Sequence, residues 1–489
     1  MPSKLHIRLR MWPAAFVFGA ALLVVTASLV LPHYVADFGI VIVAVGLLAL
    51  AAAVVLFVVP VEMLPALALI TFSLVPARVV PQDGPFGALP LATIILLVWG
   101  ARRLLLGGAP PSQRPGLPGR RVSSAAAEWS EPFRAGAVVC GVLFLSWSLF
   151  SLVRSSDVQA STGWLVSFTA GALLPLAIRD ARREADWIKR AWLMLGGWLG
   201  AYAVVEAATR SNFIWGSLYS ALGLTDSQHW SVYRSEASFG HPLVVALFFA
   251  VACALAIGDW LTTSSRWTLT AAVLSGLGLV ATVSRGALLA AAIAVGFAFF
   301  ASMVLRGEKR WSRFAGVTTL ATAGVIGVFQ YDSFRARNDS VEAELSSQAR
   351  DLGLSVSIQA SELSGGLGSG PGTSGITGRL FDNVVIENSL LQLLISLGIP
   401  GLMLFVGLVG FAFLHALSRR AVGAASGLLA YLVCIAGFNA LDAIRPMHLL
   451  LGCLLILTLN PHRVPGRVPG TDESTLATAT GPRPSYARS

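Results

Sequence analysis

The stretch that decides the fold class is residues 389–416, which read SLLQLLISLGIPGLMLFVGLVGFAFLHA. It contains no Asp, Glu, Lys or Arg, and as a helix it is long enough to cross the hydrocarbon core of a bilayer. The whole chain of 489 residues shares this character, with 55% hydrophobic residues, 12% charged residues and a mean hydropathy of +0.73. Because soluble domains carry about 25% charged residues and disordered chains are poor in apolar ones, the composition excludes both classes.

About fourteen apolar runs of comparable length follow one another along the chain. Runs this long and uniformly apolar indicate helices, since membrane barrel strands have about ten residues of alternating polarity. We therefore expect an all-α fold, a polytopic integral membrane helical bundle of about 12–14 transmembrane helices. The candidate spans are 13–31, 38–59, 62–77, 88–106, 135–153, 161–178, 191–208, 242–257, 268–283, 286–305, 314–330, 389–416, 421–440 and 444–459.

Basic residues are distributed unevenly between the two sides of these spans. If the N-terminus is cytoplasmic, 25 of the 35 lysines and arginines fall on the cytoplasmic side. This excess predicts a multi-pass protein of the cytoplasmic (inner) membrane with its N-terminus and C-terminus both in the cytoplasm. The net charge of +10 is then a topology signal and a means of contact with membrane lipids, and it does not imply nucleic-acid binding.

The spacing of the runs divides the chain into six predicted parts. These are N-terminal transmembrane helices in 1–106, a cytoplasmic linker rich in Pro, Gly and Arg in 107–133, a transmembrane core in 134–330, an extracytoplasmic loop in 331–388, C-terminal transmembrane helices in 389–460 and a disordered cytoplasmic tail in 461–489. The first apolar run continues into a second without a cleavage site, which predicts an uncleaved helix. Four cysteines lie inside apolar runs without paired spacing, which favours simple packing over a disulfide or zinc site: Cys140, Cys253, Cys434 and Cys453.

The extracytoplasmic loop contains two recognisable patterns. An amphipathic helix is predicted at its start, with Asp339 and Glu342 in a capping arrangement and an apolar face formed by Val341, Leu345, Leu352 and Val356. Such a helix can lie on the membrane surface. Seven of the fifteen residues in 364–378 are glycine, but no Gly-Lys-Ser/Thr follows, so a nucleotide-binding P-loop is disfavoured and either a mobile lid or a close-approach loop is expected.

Candidate functional residues occur in three pieces that the parity of crossings places on one side of the membrane. Arg234 and His241 precede one span, Arg285 lies in a tight break between two spans, and Glu387 and Asn388 begin another. An arginine fork fits phosphate oxygens, and two of them clamp a diphosphate without a metal. Glu387 has the carboxylate that general-base catalysis requires. We take Glu387 as the catalytic candidate, and the substrate-binding candidates are Arg234, Arg285, Asn388, His241 and Arg379.

Each of these residues also has a structural interpretation. Arg285 and Arg234 can extend toward lipid headgroups, Glu387 can serve only as a helix-capping charge, and His241 can serve as a hydrogen-bonded residue at a helix start. Glu206 and Asp442 lie within or beside apolar helices, and we interpret them as partners of polar groups in the bundle rather than as catalysts.

Four motifs in order resemble the O-antigen ligase and O-antigen polymerase superfamily. They are the Arg234–Pro242 piece, Thr282-Val-Ser-Arg-Gly-Ala-Leu-Leu, Gly365-Gly-Leu-Gly-Ser-Gly and Glu387-Asn-Ser-Leu-Leu-Gln-Leu-Leu-Ile-Ser-Leu-Gly-Ile-Pro-Gly. The resemblance covers about 230–405, and it implies a GT-C-like membrane glycosyltransferase of cell-surface polysaccharide biosynthesis. Its donor would be a polyprenyl-diphosphate-linked oligosaccharide, and its acceptor a sugar, a lipid or a protein.

The resemblance also implies roles for single residues. Arg234 and Arg285 match the arginines that hold the carrier diphosphate, whereas Glu387 stands where lipopolysaccharide-type ligases have histidine. A carboxylate can serve as the same base, so we expect an inverting transfer without metal or other cofactor. Two other classes stay open: a flippase or exporter of lipid-linked glycans that forms no bond, and a non-catalytic membrane scaffold.

Overall fold

The computed structural model describes residues 58–76, 89–105, 131–224, 232–306 and 341–461, and the regular elements in these ranges are all helical. A 3-10 turn, Val61–Met63, precedes the first α-helix, and a π turn, Thr169–Leu173, and a 3-10 turn, Leu174–Ala177, continue the fourth. The α-helices are α1 (Leu64–Leu74), α2 (Leu91–Leu105), α3 (Glu131–Val153), α4 (Val158–Phe168), α5 (Arg182–Thr209), α6 (Trp215–Ala221), α7 (Pro242–Thr263), α8 (Arg266–Ala281), α9 (Arg285–Arg306), α10 (Val341–Leu363), α11 (Ser374–Asp382), α12 (Ser389–Ser418), α13 (Val422–Ile435) and α14 (Met447–Leu459).

Among the described helices, six are long and apolar enough to cross a membrane: α3, α4 with its continuation, α5, α7, α9 and α12. Four shorter apolar helices, namely α1 with its 3-10 turn, α8, α13 and α14, accompany them. The prediction of a multi-pass helical membrane bundle is confirmed, while the number of 12–14 spans stays a prediction. The predicted spans 13–31, 38–59 and 314–330, the linker 107–133 and the tail 461–489 fall wholly or almost wholly outside the described residues.

The core of the bundle surrounds α7 and α14. Helix α7 packs against α5, α8, α9 and α13, and α14 is buried along its entire length. Small residues allow close crossings: a Cβ on Gly278 of α8 would stand 2.6 Å from the Cα of Gly200 on α5. Backbones that approach this closely are typical of helix pairs in membranes.

The outer helices α3, α9 and α12 expose large apolar side chains. A soluble protein would bury such contiguous faces, whereas lipid solvates them without cost. These residues include Val139, Val142, Leu143 and Phe150 on α3, Leu289, Phe300 and Val304 on α9, and Met403 and Val406 on α12.

The two ends of the bundle differ in character. At one end lie ion pairs between helix termini, such as Lys189 with Asp259 and Arg419 with Glu131, both at 3.3 Å. At the other end, which we call the candidate-site end, lie four segments that connect the longer helices: 232–241, 282–284, 364–388, which includes α11, and 436–446. Which end faces the cytoplasm stays a prediction from the charge count.

Helix α10 is the amphipathic helix that the sequence predicts, but a different face is buried. Val356 is fully buried, whereas Leu352, expected on the same face, is 47% exposed. The helix packs through Val356 and Ala360 against Val384, Ile386 and Ile395. The packing face is therefore set by this contact and differs from the face that the apolar spacing predicts. Asp339 and the side chains of Glu342, Val341 and Leu345 lie outside the described part.

Candidate functional site

The segment that contains Arg234 lies along the end of α8. The Arg234 side chain is only 4% exposed, and its Nε donates a hydrogen bond to the carbonyl oxygen of Thr282 at 3.1 Å. The backbone N–H of Ser235 donates to the Ala281 carbonyl oxygen, also at 3.1 Å. The two sequence pieces that hold Arg234 and Arg285 are thus joined, because Thr282 precedes Arg285 by three residues.

The tight break predicted around Arg285 is confirmed. Helix α8 ends at Ala281 and α9 begins at Arg285, so residues 282–284 make the whole turn. Val283 has a φ of 52°, a left-handed conformation that a β-branched residue rarely adopts, and its side chain is buried. Arg285 itself is exposed at the start of α9, where the helix dipole favours negatively charged ligands.

Glu206, near the end of α5, binds the Arg234 segment through hydrogen bonds. Its Oε1 accepts hydrogen bonds from Tyr233 Oη at 3.2 Å and from the backbone N–H of Glu236 at 3.1 Å, and its Oε2 accepts from the N–H of Ala237 at 2.9 Å. Glu206 is completely buried. The interpretation of Glu206 as a partner of polar groups in the bundle is confirmed.

His241 begins α7. Its Nδ1 accepts a hydrogen bond from the Leu243 N–H at 3.2 Å, and its ring stacks on Phe438 with centroids 6.1 Å apart and 16° between the planes. His241 was considered either as a substrate-binding residue or as a hydrogen-bonded residue at a helix start, and the structure shows the second role. Its contact with a substrate stays a prediction.

Phe438 connects His241 to the start of α12. Ser389 Oγ donates to the carbonyl oxygen of Phe438 at 2.7 Å and accepts from the N–H of Ala440 at 2.8 Å. Ser389 directly follows Asn388, so the 436–446 segment joins the His241 piece to the Glu387–Asn388 piece. This serine bridge was not predicted, because nothing in the sequence distinguishes Ser389 from the other serines at helix starts.

Asn388 and Glu387 differ in what their side chains do. Asn388 is the N-cap of α12, and its Oδ1 accepts from the N–H groups of Leu390 at 2.9 Å and Leu391 at 3.2 Å. Glu387 is half-buried, and its Oε2 lies 3.5 Å from Nε of Arg350 on α10. Asn388 therefore fixes the start of the helix, and Glu387 projects from the adjoining extended segment toward an exposed cation. Arg350 lies 37 positions away in the chain, and sequence reasoning gave no reason to pair the two.

Arg379 lies on α11, the short helix that precedes the Glu387–Asn388 piece. It is exposed in the last turn of α11. Within the described ranges, no hydrogen bond or ion pair joins it to another candidate residue. Its proposed contact with substrate stays a prediction.

Helix α12 is broken just after the Glu387–Asn388 piece. Gly398 has a φ of 68°, and Pro400 has no N–H to donate to the carbonyl oxygen of Ser396. The glycine-rich loop supplies the missing donors and one acceptor. Gly370 N–H donates to Ser396 O, Ser369 N–H to Ile395 O, and Ile399 N–H to Gly366 O, each at 2.9 Å, while Trp147 Nε1 donates to Leu397 O at 2.7 Å.

Gly368 of this loop is required by that close contact. Gly368 has a φ of 84°, and a Cβ there would lie 2.5 Å from Ser396 O and 2.6 Å from the backbone N of Gly398. Of the two roles expected for the loop, the structure shows close approach. Polar backbone groups inside a membrane protein must be satisfied by the protein itself, and here one irregular segment satisfies another. Pro400 signals the break in the sequence, but the identity of the loop that complements it is not readable there.

Asp442 ties three elements together beneath this loop. Its Oδ2 accepts from Ser396 Oγ at 2.7 Å and from the N–H of Ser374, the first residue of α11, at 3.3 Å. Its N–H donates to Gln392 Oε1 at 3.4 Å. Burial raises the pKa of the Asp442 carboxyl above its ordinary value, and the hydrogen bonds from Ser374 and Ser396 oppose that shift. The interpretation of Asp442 as a polar partner in the bundle is confirmed.

In the ranges that the structure describes, no three His, Cys, Asp or Glu side chains form a group that could hold a metal ion. The expectation of a metal-independent reaction stays a prediction. Cys140, Cys253, Cys434 and Cys453 are free thiols within helices.

A scan against protein-family models and a search of curated protein sequences found no match to this chain. The resemblance of its motifs to the O-antigen ligase and polymerase superfamily therefore rests on the residues of those motifs alone and stays a prediction.

Proposed function

We propose that this protein is a membrane glycosyltransferase that transfers or polymerises a polyprenyl-diphosphate-linked glycan at the outer face of the cytoplasmic membrane. The observation that carries the proposal is the bond between the two arginine pieces, in which Nε of the buried Arg234 donates to Thr282 O three residues before Arg285. Two guanidinium groups attached to one turn supply the paired positive charge that a diphosphate requires. The order of the motifs along the chain supports the same substrate class.

The two arginines have complementary tasks in this proposal. Arg234 is held inside the bundle by its Nε, which fixes the plane of the guanidinium before any ligand arrives. Arg285 is exposed at the first turn of α9, where the partial positive charge of the helix start adds to its own. Together they stabilise negative charge that develops on a departing diphosphate, with no metal or other cofactor required.

Glu387 is the proposed general base. Its carboxylate accepts the proton of an acceptor hydroxyl while that oxygen attacks the anomeric carbon of the donor sugar. The bond between the anomeric carbon and the diphosphate oxygen breaks, and the polyprenyl diphosphate leaves with the electron pair. A new glycosidic bond forms with inversion, and Glu387 then releases its proton to water. The half-exposed position of Glu387, beside Arg350, supports access for an acceptor from solvent.

The fold supports separate tasks for the helical bundle and for the loop segment that contains α10 and α11. In the proposal the candidate-site end faces outward, and α10 and α11 form the described part of a long extracytoplasmic loop over a GT-C-like bundle. His241, Asn388 and Arg379 surround the acceptor or the donor sugar. The acceptor is a sugar, a lipid or a protein, and the prenyl chain lies among membrane lipids.

The direct test is bond formation by purified protein. Vesicles containing the protein receive a lipid extract from cells that lack it, in which the unprocessed lipid-linked glycan has accumulated, and mass spectrometry monitors the products. We expect a new glycosidic bond together with free polyprenyl diphosphate, and a loss of about a hundredfold in Glu387→Gln. Movement of the glycan across the bilayer without a new bond would identify an exporter instead, and full complementation by Glu387→Gln in cells would identify a scaffold.

A cellular measurement separates the two reactions within the proposal. Deletion of the protein should cause lipid-linked glycans to accumulate: single repeat units if it polymerises, and long unattached chains if it ligates. An unchanged pool of lipid-linked glycans would contradict both.

A further inference from the structure

The Arg234 segment contains a backbone conformation that is unfavourable on its own. Ala237 has a φ of 47°, in the left-handed region that residues with a Cβ rarely adopt. Conformations of this kind persist only where the surroundings hold them, and they concentrate at functional sites. The groups that hold Ala237 are therefore informative about what the segment is for.

Glu206 is the principal group that holds it. Both carboxylate oxygens accept hydrogen bonds from the segment, Oε1 from Tyr233 Oη and Glu236 N–H and Oε2 from Ala237 N–H. Asn212 Nδ2 assists by donating to the Ala237 carbonyl oxygen at 2.8 Å. A buried carboxylate in a membrane helix is expensive, so three hydrogen bonds to one short segment indicate a purpose beyond the packing of α5.

The segment is attached to two helices. Tyr233, Glu236 and Ala237 are bound by Glu206 on α5, whereas Ser235 N–H and Arg234 Nε donate to carbonyl oxygens at the end of α8. The residues that flank Arg234 in the chain are thus held by α5 and its side chain by the end of α8, so the position of the guanidinium depends on both.

We infer that Glu206 is a positioning residue that aims the Arg234 guanidinium at the donor diphosphate. The inference rests on the proposed function and assigns a new residue to it. Glu206 touches no substrate; it acts through the backbone of 233–237, and its carboxylate is matched to two N–H groups that face it. Replacement by glutamine turns one acceptor into a donor that confronts an N–H, so the segment must move.

The test measures binding of farnesyl diphosphate, a short-chain prenyl diphosphate, to purified full-length protein in detergent. Wild type should bind it, and Glu206→Gln should bind about tenfold more weakly. In the transfer assay the same variant should raise the KM for the donor and lower kcat, while the KM for the acceptor stays unchanged. A residue that only supported folding would reduce the amount of folded protein and leave the affinity of each folded molecule intact.

A matched control exists on the same helix. Glu184, at the other end of α5, is also completely buried, and its Oε1 accepts hydrogen bonds from Arg103 Nε at 2.7 Å and Trp99 Nε1 at 3.4 Å. Glu184→Gln should leave the affinity for farnesyl diphosphate unchanged even where it lowers thermal stability. Tyr233→Phe removes one of the three bonds to Glu206 and should weaken binding about threefold.

The outcomes distinguish the inference from the function on which it rests. Equal affinity in wild type and Glu206→Gln would overturn the inference and leave the proposed function standing. No binding by wild type would overturn both. If Glu206→Gln yields no folded protein, Tyr233→Phe decides, and an affinity equal to that of wild type would overturn the inference.

Discussion

Two regions at the candidate-site end are held in place by different means. The arginine region, formed by 232–241 and the 282–284 turn, is fixed mainly by two buried side chains: Glu206 of α5, which binds 232–241, and Arg234, which joins 232–241 to the turn. The carboxylate region, formed by 364–388 and α10, is fixed mainly by backbone hydrogen bonds between the glycine-rich loop and the broken helix α12. The arginine region therefore depends on a few buried side chains, whereas the carboxylate region depends on how closely two backbones fit. In the proposed reaction the first binds the invariant diphosphate and the second meets the acceptor.

The largest expected effect is in the arginine region. Arg285→Ala should lower the transfer rate about a hundred- to a thousandfold, the loss typical of one preorganised charge-stabilising donor. Because Arg285 is exposed, the variant should fold and enter the membrane normally. Transfer by reconstituted vesicles measures the effect, and Arg154→Ala, an exposed arginine at the end of α3, is the control that should retain full activity. An undiminished rate in Arg285→Ala would remove this residue from the site.

The next effect tests how the carboxylate region is attached. Gly368→Ala places a Cβ against the backbone at the break in α12 and in a left-handed conformation, so it should destabilise the protein by about 1–3 kcal/mol or more. Gly365→Ala is the matched control, since Gly365 has a φ of 61° with nothing within 4 Å of its Cβ position, and should cost about 1 kcal/mol. Thermal unfolding measured by scanning fluorimetry compares them. Equal melting temperatures would show that the loop does not bind the helix closely.

A smaller effect concerns the pH dependence of stability at Asp442, which binds the carboxylate region through the N–H of Ser374. Burial raises the pKa of Asp442, so the folded state favours the protonated carboxyl. Its contribution is fully present below the pKa of an unfolded aspartate, about 3.9, and is lost as the pH rises through the higher folded value. Asp442→Asn should therefore show a shallower decline of Tm with rising pH than wild type. A decline as steep as that of wild type would show that other groups control it.

The smallest effect is expected at the contact between α10 and Glu387. Arg350 and Glu387 are paired at 3.5 Å with much of both side chains exposed, and such pairs contribute about 0.2–1 kcal/mol. Arg350→Gln should change Tm by no more than a few degrees and transfer by less than about fivefold, with the difference shrinking in high salt. A loss as large as that of Arg285→Ala would place Arg350 among the groups that bind the substrate.

The sequence predicts the arginine region better than the carboxylate region, for a physical reason. Apolar length fixes helices such as α8 and α9, so the turn just before Arg285 follows directly from where one apolar run stops and the next begins. The bonds across α12 depend on which loop fills a gap left by Gly398 and Pro400, and that choice is made by tertiary packing. Tertiary packing also determines the link through Ser389 and Phe438 and the buried face of α10, so neither was predictable from the sequence. Glu206 was predicted to be a polar partner in the bundle, but the groups that donate hydrogen bonds to it are known only from the fold.

The proposed reaction requires both regions to face the outside of the cell. Arg285→Cys and Glu387→Cys, each made after Cys140, Cys253, Cys434 and Cys453 are replaced by alanine, can be treated in intact cells with a membrane-impermeant maleimide. Positions 285 and 387 should both be labelled without permeabilisation. Labelling of either position only after the membrane is opened would place it on the cytoplasmic side and contradict the shared site.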